Sequence, residues 1–207
     1  AEQMGFVLEK TAQSITIKER LDFSCAIFDK DGELVANAPH MPVHLGSMDS
    51  TVKSIIKNNS TLSPGDIFAI NAPYNGGTHL PDITIVNPIW NYEKSKIIFY
   101  TAARGHHTDI GGLTPGSMPC NSTDIHEEGI YIDNWKIVAN GVFREQEIKN
   151  KLLSGSYPAR SPLTNIADLK AQIAACKKGE TELLKIVDKY GLETVFRFQE
   201  LVCQNAE

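Results

Sequence analysis

The sequence lacks paired cysteines, long apolar runs and an excess of basic residues. Its four cysteines are widely spaced and form no Cys-x-x-Cys pair, so they predict reduced thiols rather than a disulfide framework or a zinc knuckle. The apolar runs are far shorter than the roughly 20 residues that span a bilayer, and the first residues show no signal-peptide pattern. We therefore expect a cytoplasmic protein that has no membrane partner.

The charge balance argues against a nucleic-acid partner. The 207 residues include 20 Lys and Arg against 25 Asp and Glu, which gives a net charge of −5 and a pI near 5.7. A nucleic-acid-binding face requires a cluster of basic side chains, and the sequence shows no such excess. The pattern GxxxxGK is also absent, so no phosphate-binding loop is predicted.

Hydrophobic periodicity predicts an α+β fold with antiparallel or mixed sheets built from hairpins. A helical stripe over residues 2–19 predicts an N-terminal helix. Apolar alternation on both sides of Gly32 predicts a β-hairpin, because glycine readily adopts the positive φ of a tight turn. From Arg144 onward the pattern is helical. We therefore divide the chain into an α+β region, residues 1–143, which also contains the candidate metal-binding residues described below, and a helical segment that packs on it, residues 144–207.

Cap residues predict where two of the later helices begin and end. Ser47 or Asp49 is a candidate N-cap for a helix in the first half of the chain. Another helix is predicted to begin at Ser161-Pro162 or at Asn165, since proline suits the first helical turn. Gly179 is predicted to end that helix, because glycine is the common residue after a helix C-terminus.

Two histidines, His40 and His44, precede the first of these helices. Their spacing of four would suit a metal-binding pair on one helical face. Pro42 lies between them and disfavours such a shared face. The constrained backbone around Pro42 and Gly46 leaves open a role in lining a pocket.

The clearest chemical signal is a His-x-x-Asp pattern that occurs twice. His79 and Asp82 follow the glycine pair Gly76-Gly77, and His106 and Asp109 form the second set. Imidazole and carboxylate groups are ligands for zinc, manganese and iron. Apolar alternation between the two sets predicts a hairpin that returns the second set to the first. The sequence therefore predicts a catalytic metal site.

His107 complicates the choice of ligand in the second set. Neighbouring residues of a strand point to opposite sides, so His106 and His107 cannot easily face one metal ion together. We expect one of them to form hydrogen bonds elsewhere.

Several segments resemble the hydantoinase B/oxoprolinase family, namely IKERLDFSCAIFDKDGELVANAPHMPVHLGSM, NAPYNGGTHLPDITIVNPI, ARGHHTDIGGLTPGSMP and STDIHEEG. This family includes the B subunits of ATP-dependent N-methylhydantoinases, the C-terminal half of 5-oxoprolinase, and subunits of acetone and acetophenone carboxylases. The resemblance covers most of the first 145 residues. Members are considerably longer, so we expect an N-terminal portion of a larger subunit.

The resemblance implies a metal-dependent subunit of an ATP-coupled cyclic amide hydrolase of the hydantoinase or 5-oxoprolinase type. It implies a hetero-oligomer with a hydantoinase A type partner that binds and cleaves ATP, and a lactam or imide substrate activated by that partner. The positions that match the family's metal ligands are Asp22, His79, Asp82 and His106. From its sequence context alone, Asp22 would be a salt-bridge or turn residue.

The catalytic residues of such a reaction would include a proton acceptor for the attacking water. Asp109 and Glu127 are the candidates, and both lie in or after the Gly-rich segment that follows His106. Glu127 is part of a charged cluster that could equally be a solvated face.

Two other functions remain open at this stage. A ketone carboxylase subunit would use the same loops to bind substrate or bicarbonate. A structural subunit would use His79, Asp82, His106 and Asp109 only to hydrogen-bond the loops together. The patterns leave the substrate open, and the metal could be zinc, manganese or iron.

Overall fold

Seven strands form one antiparallel sheet in the computed structural model, which describes residues 1–38 and 40–206. The order across the sheet is β2-β1-β5-β4-β3-β6-β7, and every neighbouring pair is antiparallel. The α+β prediction is confirmed. The strands are β1 (Phe23–Asp29), β2 (Leu34–Asn37), β3 (Ile67–Ile70), β4 (Asp82–Trp90), β5 (Ile97–His106), β6 (Trp135–Ala139) and β7 (Val142–Phe143).

Helices cover both faces of this sheet. The core between the sheet and the helices α1 (Glu2–Thr11) and α5 (Pro162–Tyr190) includes Met4, Cys25 and Leu169. The core beneath α3 (Pro42–Asn58) includes Ala26 and Met48. Because both faces are covered, β4 is buried over most of its length. Among the described residues, no helix is long and apolar enough to cross a membrane. The helices are α1 (Glu2–Thr11), α2 (Ile15–Lys18), α3 (Pro42–Asn58), α4 (Glu145–Leu152), α5 (Pro162–Tyr190) and α6 (Leu192–Ala206).

The N-terminal helix is confirmed, but the prediction of one continuous helix over residues 2–19 is wrong. The carboxylate of Asp168 in α5 accepts hydrogen bonds from the backbone N–H groups of Gln13 and Ser14, at 2.7 and 3.1 Å. Ser14 then caps α2 by accepting a hydrogen bond from the N–H of Ile17. These bonds separate α1 from α2, and their acceptor lies 155 residues from Gln13 along the chain.

The predicted N-cap of α3 is also wrong. The helix begins at Pro42 rather than after Ser47 or Asp49. Proline is favourable at the first helical position because its fixed φ suits the helix and its missing N–H has no intrahelical partner there. As a result, His44 lies in the first turn of α3, whereas His40 precedes the helix.

Gly179 lies inside α5 rather than at its end, contrary to the prediction. A Cβ atom at this position would lie 2.6 Å from Sδ of Met4 and 2.8 Å from Cγ2 of Thr101. Glycine therefore permits α5 to pack closely against α1 and β5. This tertiary contact outweighs the low helix propensity of glycine.

The prediction of reduced thiols is confirmed for the cysteines whose side chains are described. Cys25, Cys120 and Cys176 are free, and burial raises the pKa of Cys176 to about 12. The side chain of Cys203 is outside the part of the chain that the structure describes.

Candidate metal centre

Strands β4 and β5 bring the two histidine segments together, as the hairpin prediction required. Asp82 and His106 are directly opposite each other in the register, and His79 lies in the turn that precedes β4. Nδ1 of His79 is 3.1 Å from Oδ2 of Asp82, and Nδ1 of His106 is 3.0 Å from Oδ1. One carboxylate therefore lies between two imidazoles.

His79, Asp82 and His106 form a donor set that fits a divalent cation. One potential ligand atom from each lies within 4.8 Å of the other two. With bond lengths of about 2.0 to 2.3 Å, ligand atoms around one ion lie at most about 4.5 Å apart, so only small side-chain movements are required. Two nitrogen donors and one carboxylate oxygen suit zinc, manganese and iron. The side chain of His79 is 42% exposed, which leaves the cluster accessible.

The carboxylate of Asp82 remains ionised although it is buried. Burial acts to raise its pKa, but hydrogen bonds from His106, His44 and His79 hold that pKa well below its usual range. The hydrogen bond with Asp82 in turn raises the pKa of His79. The cluster therefore presents a fixed negative charge, which favours a cation.

Asp22 lies beside this cluster and connects to it through His44. Nε2 of His44 is 3.6 Å from Oδ1 of Asp22 and 3.4 Å from Oδ2 of Asp82. The carbonyl oxygen of Asp22 accepts a hydrogen bond from the N–H of His106 at 3.0 Å. The start of β1 thus holds Asp22 next to the end of β5.

His44 was not among the predicted site residues, although its side chain points at two of them. Its spacing from His40 was the available signal, and Pro42 weakened that signal. The proline begins α3 instead of interrupting it, so the first helical turn directs His44 at the carboxylates. His40 lies elsewhere, where its Nδ1 accepts a hydrogen bond from the N–H of Cys25.

His106 and His107 have separate environments, as predicted. His107 is fully buried. Its Nε2 lies 3.0 Å from Oε1 of Gln172, and its Nδ1 lies 3.2 Å from Nδ2 of Asn165. His107 therefore packs against α5, while His106 faces Asp82.

Asp109 organises the loop that follows β5. Its carboxylate accepts hydrogen bonds from the backbone N–H groups of Gly111, Gly116 and Arg160 and from the Arg160 guanidinium at 2.7 Å. Although burial acts in the opposite direction, these bonds lower the pKa of Asp109. Asp109 is not a member of the ligand cluster of His79 and its neighbours, and its role as a proton acceptor stays a prediction.

Glu127 lies in a short 3₁₀ helix, residues Ile125–Glu127, and takes part in its capping box with Asp124. Its carboxylate accepts a hydrogen bond from the N–H of Thr123 at 2.7 Å. It too lies outside the ligand cluster. Its catalytic role likewise stays a prediction.

Comparison with known proteins agrees with these features. The family model for hydantoinase B/oxoprolinase matches residues 1–207. The chain belongs to the hydantoinase B/oxoprolinase family. Its relatives include 5-oxoprolinase 1 from Arabidopsis thaliana, which is 48% identical over 219 residues that cover 100% of this chain and 17% of that protein. Caprolactamase subunit beta from Pseudomonas jessenii is 33% identical over 194 residues, which cover 93% of this chain and 32% of the subunit.

Two solved structures share the fold of this chain. The ATP-dependent caprolactamase from Pseudomonas jessenii superimposes with a TM-score of 0.84 at 30% sequence identity, over 96% of this chain and 34% of that chain. Nucleotide-free acetone carboxylase has the same TM-score at 22% identity, over 96% of this chain and 26% of its own. The similarity to acetone carboxylase shows a shared fold. The chain spans only about a sixth to a third of the length of the relatives it matches.

The turn before His79 depends on glycine. A Cβ atom at Gly77 would lie 2.4 Å from the carbonyl oxygen of Asn71 and 2.6 Å from that of Ala72. Such contacts are too short for any side chain. The turn that carries His79 can therefore pack against the backbone of Asn71 and Ala72 only with glycine at position 77.

We expect Gly77→Ala to lower the free energy of unfolding by about 1 to 3 kcal/mol, because the new methyl group overpacks the turn. Metal affinity should fall as well, since the turn carries His79. Urea denaturation and metal titration would measure both effects. Gly46→Ala is the matched control, because nothing lies within 4 Å of a Cβ there and alanine favours the helix by about 0.5 to 1 kcal/mol. Wild-type stability in Gly77→Ala would contradict the close packing.

Proposed function

We propose that the chain forms the metal-binding part of an ATP-dependent cyclic amide hydrolase. The observation that carries this proposal is the cluster of His79, Asp82 and His106, whose donor atoms converge at one end of the sheet. The family relationship supports the substrate class, because relatives are named 5-oxoprolinase and caprolactamase. 5-Oxoproline and caprolactam are both lactams.

Each proposed ligand has a distinct part in the site. Asp82 supplies the buried negative charge, and His79 and His106 supply nitrogen donors on either side of it. Asp22 adds a second carboxylate from the start of β1. A zinc, manganese or iron ion held by these four residues would supply Lewis-acid polarisation of a carbonyl or phosphoryl oxygen.

Asp109 or Glu127 would accept the proton of the water that opens the ring. The hydrogen bonds of Asp109 lower the pKa of its carboxylate, so some of them must be released before it can act as an effective base. The guanidinium of Arg160 donates a hydrogen bond to one carboxylate oxygen of Asp109. This ion pair would therefore break when Asp109 accepts a proton.

The proposed reaction is shared with an ATP-binding partner of the hydantoinase A type in a hetero-oligomer. Phosphorylation of the lactam oxygen there would make the ring carbon electrophilic. Water would then add to that carbon at the site described above, and cleavage of the ring C–N bond would leave a free amine and an acyl phosphate. A second water would release the carboxylate and inorganic phosphate. Support for a multi-subunit assembly comes from the name of one relative, caprolactamase subunit beta.

Elemental analysis of the full-length protein and an ATP-dependent ring-opening assay test this function. We expect a stoichiometric divalent ion, and ATP cleavage coupled to opening of 5-oxoproline or caprolactam in the presence of the partner. Chelation should stop turnover and added metal should restore it. ATP cleavage that depends on bicarbonate and a ketone would instead indicate a carboxylase, and active protein without metal would contradict the proposal.

Metal affinity should fall as the pH is lowered from about 8 to about 5, because imidazole binds metal only when neutral. Asp82 raises the pKa of His79, so protons compete with the metal at a higher pH than they would for an ordinary histidine. Isothermal titration at several pH values would measure the decline. An affinity that stays constant over this range would contradict a role for His79 as a ligand.

In the metal-free protein, protonation of His79 increases the stability of the fold, whereas it weakens metal binding. The charged pair of His79 and Asp82 stabilises the fold below the ordinary pKa of histidine. That contribution is lost as the pH rises through the raised pKa of His79. Denaturation of the metal-free protein at several pH values measures the effect on stability. The metal titrations at the same pH values measure the effect on affinity.

A further inference from the structure

His44 lies between two of the proposed metal-binding carboxylates. Its side chain is only 4% exposed, and its Nε2 is 3.4 Å from Oδ2 of Asp82 and 3.6 Å from Oδ1 of Asp22. Its other ring nitrogen, Nδ1, is buried and has no hydrogen-bond partner among the described residues. The polar contacts of this imidazole are therefore concentrated on the side of the carboxylates.

This environment favours the tautomer of His44 that carries its proton on Nε2. A neutral imidazole donates from one nitrogen only, and the acceptors lie on the Nε2 side. An N–H group directed between Asp22 and Asp82 offsets the repulsion between their negative charges. Both carboxylates, which lie within 3.6 Å of this nitrogen, can therefore keep their positions before a cation arrives.

Arg104 anchors the backbone segment that carries His44. Nη1 of Arg104 donates to the carbonyl oxygen of His44 at 3.4 Å and to Oγ of Ser47 at 2.6 Å, and Nη2 donates to Oγ1 of Thr51 at 2.8 Å. These contacts tie the first turns of α3 to β5. The imidazole of His44 is thus held against the carboxylates by a rigid support.

We propose that His44 is a positioning residue that holds Asp22 and Asp82 towards one point and so preforms the cation site. The inference rests on the metal site proposed above. Hydrogen bonds to ligating side chains fix their orientation, and removing such a partner typically lowers metal affinity 10-fold to 100-fold. His44 itself acts through the carboxylates and is not a ligand.

Metal titration of metal-free full-length protein tests this role with two amide variants. In His44→Gln the amide nitrogen takes the place of Nε2 and can still donate to the carboxylates, whereas the shorter side chain of His44→Asn cannot reach them. We expect the affinity of His44→Gln for zinc to stay within about threefold of wild type, and that of His44→Asn to fall about 10-fold to 100-fold. Wild-type affinity in His44→Asn, or equal losses in both variants, would overturn the proposal.

The absorption spectrum of the cobalt-substituted protein separates positioning from direct ligation. The ligand-field bands of His44→Gln should match those of wild type, because the ligand set is unchanged. Shifted bands would make His44 a ligand and overturn the positioning role. If the wild-type protein binds no divalent metal, the proposed function itself fails, whereas equal binding by wild type and His44→Asn removes only the role of His44.

Discussion

Asp82→Asn is expected to abolish metal binding and, with it, ATP-coupled ring opening. Asp82 is buried and lies within 3.4 Å of three imidazoles, those of His79, His106 and His44. Asparagine removes the negative charge and turns one acceptor into a donor, which must then face one of these rings. Because loss of an outer partner alone costs 10-fold to 100-fold, loss of this central ligand should weaken metal binding by more than about 100-fold.

Elemental analysis, metal titration and the ring-opening assay would measure this effect. Asp31→Asn is a matched control, because Asp31 is exposed in the turn between β1 and β2 and its ion pair with Lys30 is on the surface. The control should keep wild-type metal content and turnover. If folded Asp82→Asn also keeps both, the metal-binding assignment is wrong.

Arg104→Met is expected to cause the largest loss of stability. Arg104 is fully buried, and burial lowers its pKa only to about 10, so it is charged at neutral pH. It donates to hydroxyl groups of Thr84, Ser47 and Thr51 at 2.6 to 2.8 Å. Methionine has similar length but no donor. Each buried polar group left unpaired costs about 1 to 3 kcal/mol, so we expect a loss of about 3 kcal/mol or more.

Urea denaturation of metal-free protein would measure this loss independently of the metal site. Arg104→Lys should recover only part of it, because one ammonium group cannot reproduce the planar set of donors. Arg197→Met is the control, since Arg197 pairs with Glu200 on the surface and should change stability by at most about 0.5 kcal/mol. If Arg104→Met is as stable as this control, the buried network does not stabilise the fold as argued.

The features that were predictable from sequence are those encoded locally. The apolar alternation around Asp82 and His106 defines a hairpin, and hairpin pairing alone places these residues opposite each other. The antiparallel strands and C-terminal helices follow from similar local periodicity. Assigning Asp22 to the site required the family resemblance, because its partners come from α3 and β5.

The missed features depend on partners far away in sequence. The break after α1 requires Asp168, and the uninterrupted course of α5 through Gly179 requires contact with Met4. His44 enters the site because Pro42 begins a helix whose first turn is bound to Arg104. Such contacts leave no periodic trace in the sequence. The boundary after residue 143 and the cytoplasmic location stay predictions.

The pairing of β1 with β5 indicates when the site is completed during folding. Phe23 pairs with Gly105, and closing so long a loop carries a larger entropy cost than closing the hairpin of β4 and β5. His79, Asp82 and His106 can therefore assemble early, whereas Asp22 reaches them only when the sheet is complete. A cation that binds all four residues selects the completed sheet and stabilises it by mass action. Metal binding would thus report that the two distant parts of the chain have joined.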